Sequence, residues 1–228
     1  MMEPINTILF DMDNTLFDLV EAQIAACTAV AASVGRTDGN ALFEQYFRSG
    51  RHGFESHENI LNYLSDHNIP PDGTYSRLRR IYETVKLDTV VPYEGVGSTL
   101  RELQDQGYRM SVITDAHSRD ATRRLEKTGL FSFFDGMVTF DMVMAKKPAP
   151  EPFLCALDMM KTTPGSAILV CDSPRRDILP ARDLGIRTVY ARYGDRFSLE
   201  RKCPEADFCI DTMNELLPII GSLGRPGQ

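Results

Sequence analysis

Several short runs in this chain are apolar on consecutive residues and rich in Val and Ile: Ile5 to Phe10, Arg109–Thr114, Ala167–Cys171 and Ile186–Tyr190. A strand with one wet face alternates apolar and polar residues. Continuous apolar character instead requires cover on both faces, as in a parallel sheet sandwiched by helices. Helical patterns separate the runs. Val96, Leu100 and Leu103 share a face before the stop signal Gly107. Thr212-x-x-Glu215 reads as a capping box, opening a helix with Met213, Leu216, Leu217 and Ile220 on one side. From about Pro92 onward strand and helix alternate, which predicts a doubly wound, Rossmann-like α/β domain.

The stretch from Phe17 to Val91 lacks such runs. Its patterns predict helices over 19–34, 40–48, 57–67 and 75–87, the last with an apolar stripe of Leu78, Ile81, Tyr82 and Val85. Pro70-Pro71 and the Gly50–Gly53 region interrupt them. The expected organisation is an α/β core of residues 1–16 and 92–228 with an all-helical, lid-like block, 17–91, inserted after the first strand.

Composition narrows the function. With 228 residues, 43% apolar and 25% charged, the chain can build one sizeable core or a core with a small second domain. A net charge of −7 argues against nucleic acid, whose phosphates demand clustered Lys and Arg. The five cysteines are scattered without a Cys-x-x-Cys pair, which predicts reduced thiols rather than a disulfide framework or zinc site. No apolar run is long enough to span a bilayer, and Asp11 comes too early for a signal peptide. The expectation is a cytoplasmic monomer or homodimer acting on a small molecule.

In an open parallel sheet, ligands bind at the carboxyl ends of the strands. The first run ends in Asp11-Met12-Asp13-Asn14-Thr15 and the second in Thr114-Asp115. Lys146-Lys147-Pro148 precedes a later run, which ends in Cys171-Asp172-Ser173 with Asp177 close behind. Taken singly, these are a turn, an N-cap, an exposed loop and another cap. Taken together on one sheet edge, they suit phosphoryl transfer. Asp11 and Asp172 repel as bare carboxylates, and a hard cation such as Mg²⁺ between them removes the conflict and screens an incoming phosphate. Asp11 attacking phosphorus would form an acyl phosphate. Asp13 is placed to protonate the leaving oxygen and then deprotonate water. Thr114 and Lys147 would stabilise the developing charge.

These segments resemble the haloacid dehalogenase-like hydrolase superfamily over essentially the whole chain. The Asp-x-Asp-x-Thr motif after a strand matches Asp11 to Thr15, and the strand ending in Thr matches Val112-Ile113-Thr114. The Lys-Pro motif matches Lys147-Pro148, and the acidic pair Asp-x₄-Asp matches Asp172 and Asp177. The resemblance implies Asp11 as nucleophile and Asp13 as acid and base. It implies a metal held by Asp11, the main-chain carbonyl of Asp13, and Asp172, with Asp177 supporting, and it makes the helical block a cap. Departures are Cys171, where many members carry Gly, and Asp115-Ala116, where many carry Asn-Gly. The family's dehalogenases lack an Asp at the position of Asp13, so its presence favours phosphate chemistry. A phosphomutase shares every core motif. A phosphoryl-accepting receiver domain is disfavoured, because its acceptor ends the third strand and no helical block follows.

Candidate substrate contacts are Asp115 beside the site and Arg48, Arg51, His52, Phe54 and His57 in the helical block, where Arg and His would grip a second anionic or hydroxylated group. Arg192 and Tyr193, past the last strand run, have similar standing. The expected activity is Mg²⁺-dependent hydrolysis of a small phosphomonoester.

Overall fold

The structure, a computed structural model, describes residues 4–48, 52–197 and 205–224. In chain order it has β1 (Thr7–Asp11), α1 (Leu19–Ser33), α2 (Gly39–Leu42, continued by a π-type segment to Arg48), α3 (Glu58–Asp66), α4 (Thr74–Thr89) and α5 (Val96–Asp105). Then come β2 (Arg109–Ile113), α6 (Ser118–Lys127), β3 (Gly136–Val138), α7 (Phe140–Val143) and α8 (Glu151–Met159). The chain ends with β4 (Ala167–Cys171), α9 (Leu179–Asp183), β5 (Arg187–Ala191), β6 (Phe208–Ile210) and α10 (Leu216–Ser222). Two compact units result: Met1–Asp18 with Pro92–Gln228, and Leu19–Val91.

The first unit is a six-stranded parallel sheet in the order β3-β2-β1-β4-β5-β6, with helices on both sides. Its central strands explain the apolar runs. Leu9, Ile113, Leu169 and Tyr190 join one core with Phe153, Ala156 and Leu157 of α8. The alternate positions Ile8, Phe10, Val112, Ile168 and Val170 point to the other face and are equally buried. Each such side chain contributes roughly 1.5–3 kcal/mol on burial.

Two strands lie outside the sequence expectation. β3 and β6 are three residues long, flank the sheet and bury one residue each, so they are too short to stand out as apolar runs. The predicted capping box also differs. The Thr212 hydroxyl donates to Glu215 Oε1 at 3.2 Å, and Glu215 accepts from the Asp211 amide at 3.1 Å. Asp18 closes the first segment of the core, two residues later than expected, because Phe17 still bridges to Asp13 and Pro92. Cys209 is disulfide-bonded, against the expectation of reduced thiols, while Cys27, Cys155 and Cys171 are free and Cys203 lies outside the described residues. Sequence spacing could not reveal it, since the fold and not a Cys-x-x-Cys pair sets which sulfurs meet.

The second unit packs α1 to α4 around Val20, Cys27, Val30, Phe43, Ile60, Tyr63, Leu78 and Tyr82. Phe47 stacks on Tyr82 with centroids 4.8 Å apart. Lys86 is buried here, bound to Glu55 at 3.1 Å and Glu83 at 3.0 Å. His57 meets Glu83 at 2.7 Å. Burial raises the Glu83 pKa, but His57 and Lys86 outweigh it and bring it from 4.5 down to about 2. An acid with a depressed folded pKa stabilises above its unfolded pKa, and that contribution disappears as pH falls through the folded value. The Tm should therefore fall more steeply below pH 4.5 in the native sequence than in Glu83→Gln, as thermal melts over that range will read. Among the described residues no helix is long and apolar enough to cross a membrane.

Candidate active site

Sheet register assembles the site. Asp11 lies opposite Ile113 on β2, and Phe10 lies opposite Val170 on β4. Thr114 and Asp172 therefore follow their strands at the same edge, flanking the end of β1. β1 is also the switch point, with β2 and β3 to one side and β4 to β6 to the other, so a crevice opens at its carboxyl end. Asn14 adopts a left-handed φ of 64°, which Asn tolerates, and turns the chain just beyond Asp11 and Asp13. Gly194, after β5, passes so close to the Asn14 main chain and Asp172 Cβ that a side chain there would collide with both.

At the centre Lys147 Nζ pairs with Asp11 Oδ1, lies 2.6 Å from Asp177 Oδ1 and donates to the Ile113 carbonyl at 3.2 Å. All three side chains are buried. Thr15 Oγ1 donates to Asp11 Oδ2 at 3.3 Å. Burial works against the Asp11 charge, yet Lys147 and then Arg176 outweigh it and hold the carboxyl below the usual range. Asp172 goes the other way: burial, reinforced by the Asp11 charge, pushes it well above that range. Burial likewise lifts Asp177, to about 6, despite Lys147 beside it. The lysine is held charged, its own burial overcome by Asp11 and Asp177.

These observations test whether the residues suit a cation. One oxygen each from Asp11, Asp172 and Asp177 lies within 4.8 Å of the others. Asp172 Oδ1 is buried with no hydrogen-bond partner among the described residues. An orphaned buried oxygen, adjacent acids whose charges repel, and an all-oxygen donor set fit a hard divalent ion such as Mg²⁺.

The remaining expected residues divide. The Asp13 carboxylate turns to Arg124 of α6, whose Nη1 donates to both of its oxygens at 2.8 Å. Thr114 Oγ1 accepts from the Ala116 amide at 3.2 Å. Asp115 Oδ1 accepts from the Lys147 amide at 2.9 Å, and its Oδ2 lies 3.6 Å from Arg176. Cys171 is buried, with Sγ 4.0 Å from the Val189 carbonyl. In the helical unit His52 pairs with Glu58 at 2.7 Å, Arg48 with Glu44 at 2.7 Å and His57 with Glu83. Arg51 lies outside the described residues. Arg192 is bound to Asp211, and Tyr193 donates to the Thr15 carbonyl at 2.8 Å.

Sequence reasoning missed Arg124 and Arg176. Arg176 was in view between the acids of Asp-x₄-Asp, whereas Arg124 enters from a helix with no local signal pairing it to Asp13.

A buried aspartate thus stands at the switch point of a parallel sheet, paired to a lysine and flanked by further acids. The chain belongs to the haloacid dehalogenase-like hydrolases, whose family model matches residues 8–191. It is 28% identical to pyrophosphatase PpaX of Bacillus cereus strain B4264 over 97% of this chain and 99% of that protein. The HAD phosphatase of Thermococcus onnurineus superposes with TM-score 0.68 at 26% identity, over 95% of this chain and 98% of that one. The HAD-hydrolase YfnB of Bacillus subtilis, solved bound to magnesium, superposes with TM-score 0.77 at 19% identity, over 96% and 100%.

Proposed function

We propose that this hydrolase takes the phosphoryl group of a small phosphorylated metabolite onto Asp11 and releases it to water, with Mg²⁺ as cofactor. The observation that carries this reading is geometric: the buried Asp11 carboxylate ends β1 paired to Lys147, with one oxygen each of Asp172 and Asp177 within 4.8 Å of it. An ionised buried carboxylate is a nucleophile already stripped of water.

Asp11 attacks phosphorus, the bond to the leaving oxygen breaks, and Asp13 gives that oxygen a proton. Asp13 then takes a proton from water, whose oxygen attacks the acyl phosphate, releases phosphate and restores Asp11. Thr114 and Lys147 meet the oxygens of the transferring group. Asp11, Asp172 and the Asp13 carbonyl would hold Mg²⁺, which supplies the positive charge that lets both acids ionise beside a phosphate dianion. Asp177 supports by fixing Lys147. The Leu19–Val91 unit is the cap, and substrate choice lies with its residues and Asp115.

Sequence favours a phosphomonoester as substrate. The name of the PpaX relatives supports a second reading, a phosphoanhydride such as pyrophosphate. A phosphomutase would pass the phosphoryl group to a second sugar hydroxyl rather than water, so product analysis separates it.

EDTA should reduce turnover of an aryl phosphate at least a hundredfold, and added Mg²⁺ should restore it. Full activity in EDTA would exclude the metal role. Arg124→Met removes the donors that fix Asp13. It should lower kcat on an alkyl phosphate, whose leaving oxygen needs the proton, about tenfold or more and on an aryl phosphate much less. Equal losses in steady-state assays would make Arg124 merely structural.

A further inference from the structure

Two cations act on Asp11, and they differ in kind. Lys147 is wholly buried, locked between Asp11 and Asp177, with its amide tied to Asp115. Arg176 stands on the single turn Pro174–Ile178 between Asp172 and Asp177, with its side chain 46% exposed. Its Nη1 is 3.6 Å from Asp115 Oδ2, beyond hydrogen-bond reach, and its Nε is 3.4 Å from Ser173 Oγ. A planar, permanently charged group with several donors is thus loosely held beside the nucleophile. The phosphoryl transfer above gives it no contact with substrate, because Lys147 and Thr114 already meet the transferring group.

We propose that Arg176 binds the second, departing phosphate of a phosphoanhydride substrate. The inference rests on Asp11 being the nucleophile. When Asp11 forms its bond to one phosphorus, the P–O–P bridge breaks and its electron pair stays on the departing phosphate, which gains a negative charge there. A guanidinium fork matches two oxygens of that group and stabilises the charge as it develops. An alcohol leaving group brings no comparable anion and leaves Arg176 without a role. Asp115 then has a function as well. It draws Nη1 toward the end of β2 while Ser173 Oγ stands 3.4 Å from Nε, which leaves Nη2 and the second Nη1 hydrogen for substrate, and the Lys147 amide fixes the orientation of Asp115 itself. The two positions line up: an acid departing from the family pattern at 115 and an arginine at 176 make one positioning pair.

The test uses the full chain with Mg²⁺, inorganic pyrophosphate and p-nitrophenyl phosphate. Arg176→Gln should lower kcat/KM for pyrophosphate about a hundredfold, the scale of a charge-assisted contact, and for the aryl ester far less. The selectivity ratio should therefore fall at least tenfold. Arg176→Lys should recover part of it, as a point charge without the fork. In an Asp11→Asn background, adding Arg176→Gln should weaken pyrophosphate binding in calorimetry, independently of turnover. An unchanged ratio or unchanged binding overturns the proposal. Activity on the aryl ester with none on pyrophosphate overturns it while leaving Asp11 in place. Inactivity of folded, Mg²⁺-loaded enzyme on both overturns the nucleophile reading itself.

Discussion

Asp11→Asn should abolish turnover, by about ten-thousandfold or more, in a protein that still folds. An amide matches the carboxylate in shape but cannot form the acyl phosphate, and neither Asp172 nor Asp177 stands at the end of β1 to replace it. The fold should survive because the exchange removes one of three crowded acids. The Asp11 charge is part of what drives Asp172 out of its ionised form, so its loss relieves a repulsion. Thermal melts should show no large fall in Tm, and brief mixing of native enzyme with labelled substrate should yield a hydroxylamine-sensitive phosphoprotein that the variant never forms. Undiminished activity in Asp11→Asn would end the mechanism.

Lys147→Met should produce the largest loss of stability together with a loss of activity. Nζ is the cation paired to both Asp11 and Asp177, and the side chains of Lys147 and Asp177 are fully buried. Removing one partner of a buried pair leaves uncompensated charge and costs about 3–5 kcal/mol. In a chain this size that is a fall in Tm on the order of 10 °C. The pH dependence gives the cause away. Asp177 already sits near 6 with the lysine present, and without it both acids move higher. An acid with a raised folded pKa destabilises when ionised, and that cost is relieved as protons bind. In EDTA the Tm gap between native enzyme and Lys147→Met should therefore narrow from pH 8 to pH 6. A constant gap would mean that lost packing, not unpaired charge, is responsible.

The parts of this architecture legible in sequence share a physical cause. β1, β2, β4 and β5 lie inside the sheet, covered on both faces, and so display unbroken apolar runs. β3 and β6, flanking strands of three residues each, are too short to show such a run. Asp11 is visible because it ends a covered strand, Thr114 and Asp172 because each directly follows one, and Lys147 because Pro148 marks it. Arg124 was invisible: its pairing with Asp13 joins positions far apart in sequence, and nothing in α6 announces the partner. His52 and His57 each have an acidic neighbour within the helical unit, Glu58 and Glu83, that no local sequence signal announces.

The core hydrogen-bonds to itself across the gap from which the helical unit departs: Phe17 bridges to Pro92, and the Tyr93 amide donates to the Leu16 carbonyl at 3.1 Å. The inserted chain thus leaves and re-enters through a single doorway whose two posts are already fastened together. Whatever is spliced between those posts need not carry the strain of holding the sheet, and lengthening it adds little closure entropy. The helical segment is in this sense a cassette. A different insert could be spliced between the same posts without disturbing the end of β1.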